Sequence, residues 1–198
     1  MKLKSINPKN NKSIRSWDPH SSEEVENILI RSNKAYLDWA DTDLSFRINC
    51  LEEISSLLGE RAKEYGTLMA DEMGKPLLQG IAEIEKCVWL CNYYKENARR
   101  FLNPRSIDTE NYKSLVSFQP LGLILGIMPW NFPFWQVFRF AIPSLTVGNG
   151  VVLKHASNVQ GCATAIERSF IDAGYYENIF CNLRIPGSQV ASVIENNN

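Results

Sequence analysis

PLGLILGIMPWNFPFWQVFRFAIPSLTVGNGVVLKHASNVQGCA, residues 120–163, is the stretch on which the architecture turns. Its first apolar run, Leu123–Met128, lies between Gly122 and Pro129, and a second, Val151–Lys154, follows Gly150. Phe134–Val147 separates them with enough residues for a helix, and Asn158–Ala173 supplies another, ended by Gly174. Downstream, Ile179–Ile185 (IFCNLRI) reads as a third strand and Ser188–Glu195 as the start of a helix. Short buried strands alternating with helices of this length predict βαβ units, hence a parallel sheet covered on both faces. The expected class is α/β, a Rossmann-like sheet that three strands leave incomplete.

The same stretch carries one charged residue, Arg139, between Leu115 and Leu153, which raises the question of a membrane span. A spanning helix needs about 20 uninterrupted apolar residues. Pro120, Pro129, Pro133 and Pro143, with Gly122, Gly126, Gly148 and Gly150, cut this one into short pieces, so it reads as a core.

Upstream, residues 1–113 form an N-terminal part dominated by helices. Residues 1–20 are polar and extended, with a turn over Pro8–Ser13. Ser21 and Glu24 have capping-box spacing and open a helix whose stripe is Val25, Ile28, Leu29, Tyr36 and Trp39. A second helix is expected over Leu44–Met69, striped by Ile48, Leu51, Ile54, Leu58, Ala62 and Tyr65. DEMGKP (Asp71–Pro76) closes it: Gly74 suits a left-handed cap and Pro76 opens the next helix, Pro76–Phe101. Ile81, Ile84, Val88, Cys91 and Tyr94 line that helix, and Ser114–Gln119 alternates like a strand. Residues 114–198 are then the first βαβαβ units of a Rossmann-like sheet.

Composition removes several function classes. The 198 residues are 44% hydrophobic, too apolar for a disordered chain. Twenty-one Lys+Arg against twenty-two Asp+Glu leave a net charge of -1, without the basic footprint of a nucleic-acid binder. The five cysteines (Cys50, Cys87, Cys91, Cys162, Cys181) are odd in number and irregularly spaced, and no secretory signal precedes them. They read as small apolar residues in a reducing, cytoplasmic setting rather than as disulfides. With His20 and His155 the two histidines, zinc lacks ligands at a usable spacing, so no metal is expected.

Chemistry concentrates where the strands end. Pro129 and Pro133 stiffen a turn that presents Trp130 and Asn131 at the carboxyl end of a strand, the edge where open α/β sheets bind ligands. An asparagine amide held there can donate to an oxyanion, a contribution of about 3 kcal/mol in a transition state. Lys154 ends the next strand at the same edge and suits a ribose or phosphate oxygen, with Ser157 three residues on, near a helix start that favours anions. The plainer alternatives stand beside these: an Asn between prolines also simply turns a chain, and a Lys after VVL also caps a strand in solvent. A GxGxxG fingerprint is missing, since Gly122 and Gly126 have the wrong spacing.

MPWNFP (Met128–Pro133) and VLKHAS (Val152–Ser157), with GNG before and NVQGCA after, resemble the aldehyde dehydrogenase superfamily. The likeness runs through the whole chain, including DEMGKP, and is greatest to the short bacterial and archaeal-type succinate-semialdehyde dehydrogenases. The resemblance implies oxidation of an aldehyde, succinate semialdehyde to succinate, with NADP, or NAD, as hydride acceptor. A cysteine thiolate attacks the aldehyde in that family, and a glutamate-activated water releases the acid. It further implies that Asn131 stabilises the oxyanion and that Trp130, Asn131, Lys154, His155, Ala156 and Ser157 contact the cofactor. Ser157 stands where NAD-preferring members often carry a glutamate, which would repel a 2′-phosphate; NADP is therefore favoured. Arg139, eight residues after Asn131, matches an arginine that holds the substrate carboxylate, although Phe140 stands where a lysine often follows. An internal ion pair is the equal alternative for Arg139.

The family's nucleophilic cysteine, general-base glutamate and oligomerising segment come after the region matched by IPGSQVASVIE (Ile185–Glu195), and neither Cys162 nor Cys181 sits in the nucleophile's context. The resemblance thus implies a chain truncated before its catalytic and oligomerisation domains, with a complementing C-terminal chain or a homo-oligomer as partner. The alternative is a non-catalytic nucleotide-binding or partner-pairing fragment.

Overall fold

In the computed structural model, which describes residues 2–196, the strands β5 (Leu123–Met128), β6 (Gly150–His155) and β7 (Phe180–Asn182) lie side by side in that order, all parallel. Numbering starts at an N-terminal hairpin, β1 (Leu3–Ile6) with β2 (Ser13–Trp17), and four helices, α1 (Ser22–Ala40), α2 (Leu44–Glu60), α3 (Ala62–Met73) and α4 (Leu77–Leu102). A second hairpin, β3 (Arg105–Ile107) with β4 (Ser114–Val116), precedes the sheet. Helices α5 (Trp135–Val147) and α6 (Gln160–Asp172) make the crossovers, and a 3-10 turn at Gly187–Gln189 leads to α7 (Val190–Ile194).

Side-chain alternation along β6 assigns the two faces. Val151 and Leu153 point into the large core with Phe138 and Ile142 of α5 and Ile166 and Phe170 of α6. Val152 points the other way, onto Leu29 of α1 with Leu183 and Ile185. Both faces are covered, as the continuous apolar runs required. Behind α5 and α6 a further helical layer of α2, α3 and α4 contributes Leu51, Ile54, Leu58, Met69 and Ile84 to the same core. Stacked rings run through it, Phe138 to Phe170 at 5.4 Å and Phe170 to Phe180 at 4.4 Å, an offset geometry that adds to area burial.

Local signals account for most boundaries. Ser21 Oγ accepts from Glu24 N at 3.1 Å while Glu24 returns a carboxylate oxygen to Ser21 N at 2.7 Å, a complete capping box. Gly74 ends α3 at φ +76°, the left-handed cap that only glycine adopts without cost. Two expectations change. The helix expected over Leu44–Met69 is two, broken at Arg61, whose N–H bonds Leu57 O and whose guanidinium bonds Asp172 at the end of α6 at 2.7 Å. The break re-aims α3 so that Gly66 meets Gly80 of α4, where a Cβ on Gly80 would stand 2.9 Å from the Gly66 Cα. Secondly, the strand expected over Ser114–Gln119 shortens to Ser114–Val116 and pairs antiparallel with Arg105–Ile107, apart from the parallel sheet. No helix among the described residues is long and apolar enough to cross a membrane.

Candidate functional site

Strands β5 and β6 end level, Ile127 opposite Lys154 and Met128 opposite His155, so the 129–134 turn and the 156–159 turn leave the sheet at one edge. The sequence-identified residues are thereby brought together. Asn131 is exposed, Trp130 is half exposed, and Ala156 and Ser157, on the neighbouring turn, are partly buried. Arg139 lies about one turn into α5, exposed, with no ion-pair partner among the described residues. The internal ion pair weighed for it is absent there.

What holds the 129–134 turn is a pair of buried side chains. Glu83, in α4, aims Oε1 at the start of α5, accepting from Phe134 N at 2.9 Å and Trp135 N at 2.8 Å. Its other oxygen takes the ammonium of Lys75, itself buried. A carboxylate on the first free N–H groups of a helix meets both the unpaired donors and the positive end of the dipole. Lys75 also sits 3.9 Å from the centre of the Phe132 ring, so one ammonium ties the DEMGKP segment to the turn.

His155 supplies the second tie. Ala156 N donates to Nδ1 at 2.8 Å, so the proton resides on Nε2, which donates to the Pro133 carbonyl at 2.9 Å. The ring is fully buried, and both nitrogens are committed to backbone. The imidazole is thus a latch between the end of β6 and the turn that presents Asn131. Burial depresses its pKa to about 4 from 6.5, with the Lys154 charge a smaller contributor. A depressed histidine contributes stability that is complete above pH 6.5 and is lost as pH falls towards 4, because the unfolded chain takes up the proton first. At most about 3 kcal/mol is involved, at 1.36 kcal/mol per pH unit. Urea midpoints measured from pH 7 to 4.5 are expected to fall, and less steeply in His155→Gln; equal slopes would exclude the latch. His20, also lowered by burial and then by Arg184, leaves a residual slope in both proteins.

A third buried group corrects one expectation. The start of α6 beside Ser157 reads in sequence as a seat for an anion, but Glu72 of α3 already fills it. Its Oε1 accepts from Gly161 N and its Oε2 from Cys162 N, both at 2.8 Å, and Ser5 of β1 donates its hydroxyl to the same carboxylate. With α5 capped by Glu83 and α6 by Glu72, neither helix start is open to a phosphate. Anion-holding at this edge falls to side chains. Lys154 is partly buried, has no carboxylate partner among the described residues, and has a pKa lowered by desolvation. The Ser157 hydroxyl is likewise unbonded among the described residues.

Glu72, Lys75 and Glu83 were not identified from sequence. One signal was available: Gly80, Glu83, Ile84, Cys87, Leu90 and Cys91 are the buried register of α4, and an acid there demands a buried partner. All five cysteines are buried, and burial pushes their thiols up, to about 11 for Cys50 and Cys181 and about 12 for Cys91. Cys162, although early in α6, is raised further by the adjacent Glu72. None is a thiolate at neutral pH. No group of three His, Cys, Asp or Glu able to hold a metal occurs among the described residues.

Comparison with known proteins agrees with this arrangement throughout the chain. The aldehyde dehydrogenase family model matches residues 1–198. A probable succinate-semialdehyde dehydrogenase [NADP(+)] of Synechocystis is 41% identical over 192 residues, covering 97% of this chain and 42% of the relative. A succinate semialdehyde dehydrogenase [NAD(P)+] of Escherichia coli is 37% identical over 191 residues, 96% of this chain and 41% of the relative. Among solved structures, the succinic semialdehyde dehydrogenase of Streptococcus pyogenes in complex with NADP+ superposes with a TM-score of 0.95 at 30% identity, covering 98% of this chain and 43% of that one. The chain spans about two-fifths of the length of the curated relatives it matches.

Proposed function

The chain belongs to the aldehyde dehydrogenase family, and on that footing we propose that it carries the cofactor-binding and oxyanion-stabilising part of an NADP-preferring oxidation of succinate semialdehyde to succinate. Lys154 is the observation that carries the reading. An ammonium partly withdrawn from water, lowered in pKa by that withdrawal and unmatched by any carboxylate among the described residues lacks its counter-charge. A ribose bearing a 2′-phosphate fits it, with the free Ser157 hydroxyl as a second donor. The nicotinamide, when bound, supplies the hydride acceptor.

The remaining roles belong to this chain's own side chains. Asn131 offers its amide N–H2 to the oxygen on which negative charge develops. Glu83, Lys75 and His155 hold the turn that positions it, so the donor is in place before reaction, as electrostatic stabilisation requires. Trp130 walls the same edge, beside a cavity of about 220 Å3 shared with Asn158, Glu72 and the β1–β2 hairpin. The attacking thiolate is not among the five cysteines of this chain, all of which are buried.

Thermal unfolding of the 198-residue chain with and without NADP tests the reading. NADP at a hundred times its Kd should add about 2.7 kcal/mol, raising the midpoint by about 5 °C or more. Lys154→Ala should abolish that rise, and Ser157→Glu should lower the NADP effect more than the NAD effect. No rise in wild type, or an equal rise in Lys154→Ala, would overturn the proposal. NADPH formation from succinate semialdehyde by the chain alone would show that a thiol assigned here to the core is reactive.

A further inference from the structure

Gln160 opens α6 and is fully buried, an uncommon place for a side-chain amide. Both ends of that amide are committed. Nε2 donates to the Ala156 carbonyl at 3.1 Å, and Oε1 accepts from the Asn182 side-chain N–H2 at 3.5 Å. Asn182 ends β7 opposite Leu153, the residue before Lys154, and its backbone N–H donates to Glu167 of α6 at 2.8 Å. Asn182 is itself buried and its Oδ1 has no partner, so the bond to Gln160 is the side-chain hydrogen bond it makes among the described residues. A buried acceptor left unpaired is a cost that calls for an explanation, and support of Gln160 supplies one. The Ala156 oxygen matters because it lies in the planar peptide unit that ends at the Ser157 Cα. The preceding unit is already fixed, since Ala156 N donates to His155 Nδ1 at 2.8 Å. Val159 N reaches the same oxygen at 3.3 Å, so Gln160 is the nearer of these two donors.

We propose that Gln160 is a positioning residue for cofactor selection: it orients the peptide that carries Ser157, and Asn182 and Glu167 hold that arrangement against β7. This rests on the reading of Ser157 given above as a second donor to the 2′-phosphate. A hydroxyl discriminates NADP from NAD to the extent that it is held in place beforehand, because a donor that must first be ordered loses part of its hydrogen bond to conformational entropy. Lys154 is placed separately, by its pairing in β6 opposite Ile127, so the relay acts on the hydroxyl and not on the ammonium.

Calorimetric titration of the 198-residue chain with NADP and with NAD gives the two dissociation constants, and their ratio is the readout. A residue needed only for folding lowers the melting temperature or weakens both cofactors together; a positioning residue for Ser157 changes the ratio. Gln160→Met keeps the length of the side chain and removes its hydrogen-bonding groups. It is expected to weaken NADP about fivefold with NAD changed less than about twofold, and Asn182→Ala should act in the same direction. Added to Ser157→Ala, Gln160→Met should change the ratio by less than about twofold, since the hydroxyl it positions is gone. Three results would each overturn the assignment: an unchanged ratio in Gln160→Met (or in Asn182→Ala, should Gln160→Met not fold), equal weakening of both cofactors, and multiplicative effects in the double variant. Ser157→Ala separates this proposal from the one it rests on. Loss of NADP preference in Ser157→Ala with its retention in Gln160→Met overturns the positioning role alone. An unchanged preference in Ser157→Ala, or no binding of either cofactor by wild type, overturns the cofactor reading and the positioning role with it.

Discussion

Glu83→Gln is expected to lower the unfolding free energy by about 3–5 kcal/mol, the range for breaking a buried ion pair by neutralising one partner. The glutamine oxygen can still accept from the N–H groups of Phe134 and Trp135, so the start of α5 stays capped, but Lys75 is left as a charge at 7% exposure with no anion. The loss is therefore assigned to Lys75 and not to the helix. Lys75→Met together with Glu83→Gln should recover most of it, since removing both charges from a buried pair is often close to neutral. Urea unfolding of the two single variants and the double variant closes the cycle. Additive losses would mean that the two side chains act independently, contrary to the geometry.

Glu72→Ala follows by a related argument at the other crossover helix, with an expected loss of about 3–5 kcal/mol. Three donors lose their acceptor together: the Gly161 and Cys162 amides and the Ser5 hydroxyl. Each buried donor left without a partner costs about 1–3 kcal/mol. The effect should spread beyond α6, because Ser5 belongs to β1 and Glu72 to α3, so one carboxylate joins hairpin, helical layer and crossover. Hydrogen exchange at Gly161 and Cys162 is expected to accelerate, together with that of the β1–β2 pairing. A change confined to the start of α6 would show that the hairpin is held by other contacts, such as the bonds joining His20 to Arg184. An alanine at Gly161 tests the same seat from the other side, since its Cβ would stand 2.7 Å from the Glu72 carboxylate oxygen.

Local patterns made much of this molecule legible before any coordinates. The capping box at Ser21, the left-handed Gly74, and the apolar runs Leu123–Met128 and Val151–Lys154 are signals confined to a few neighbouring residues. The α/β class followed from them, and so did the shared sheet edge to which Asn131 and Lys154 both belong, because parallel strands of similar length end together. Periodicity carries no information about what lies across a fold. Glu83 is 51 residues from the Phe134 amide it caps, and Glu72 is 89 residues from Gly161. Read along the chain, these acids are two ordinary helical glutamates; only packing α3 and α4 against the crossover helices turns them into caps. The break at Arg61 has partly the same origin. Gly59 in the last turn of α2 is a local signal for that end, but the pairing of Arg61 with an aspartate 111 residues away and the Gly66–Gly80 contact appear only in the fold. Which residues are candidates for the chemistry was therefore a matter of motif and strand end. Which residues hold those candidates in place, and where the unmatched charge of Lys154 was left, was settled by long-range packing, since burial and partnership exist only once distant segments meet.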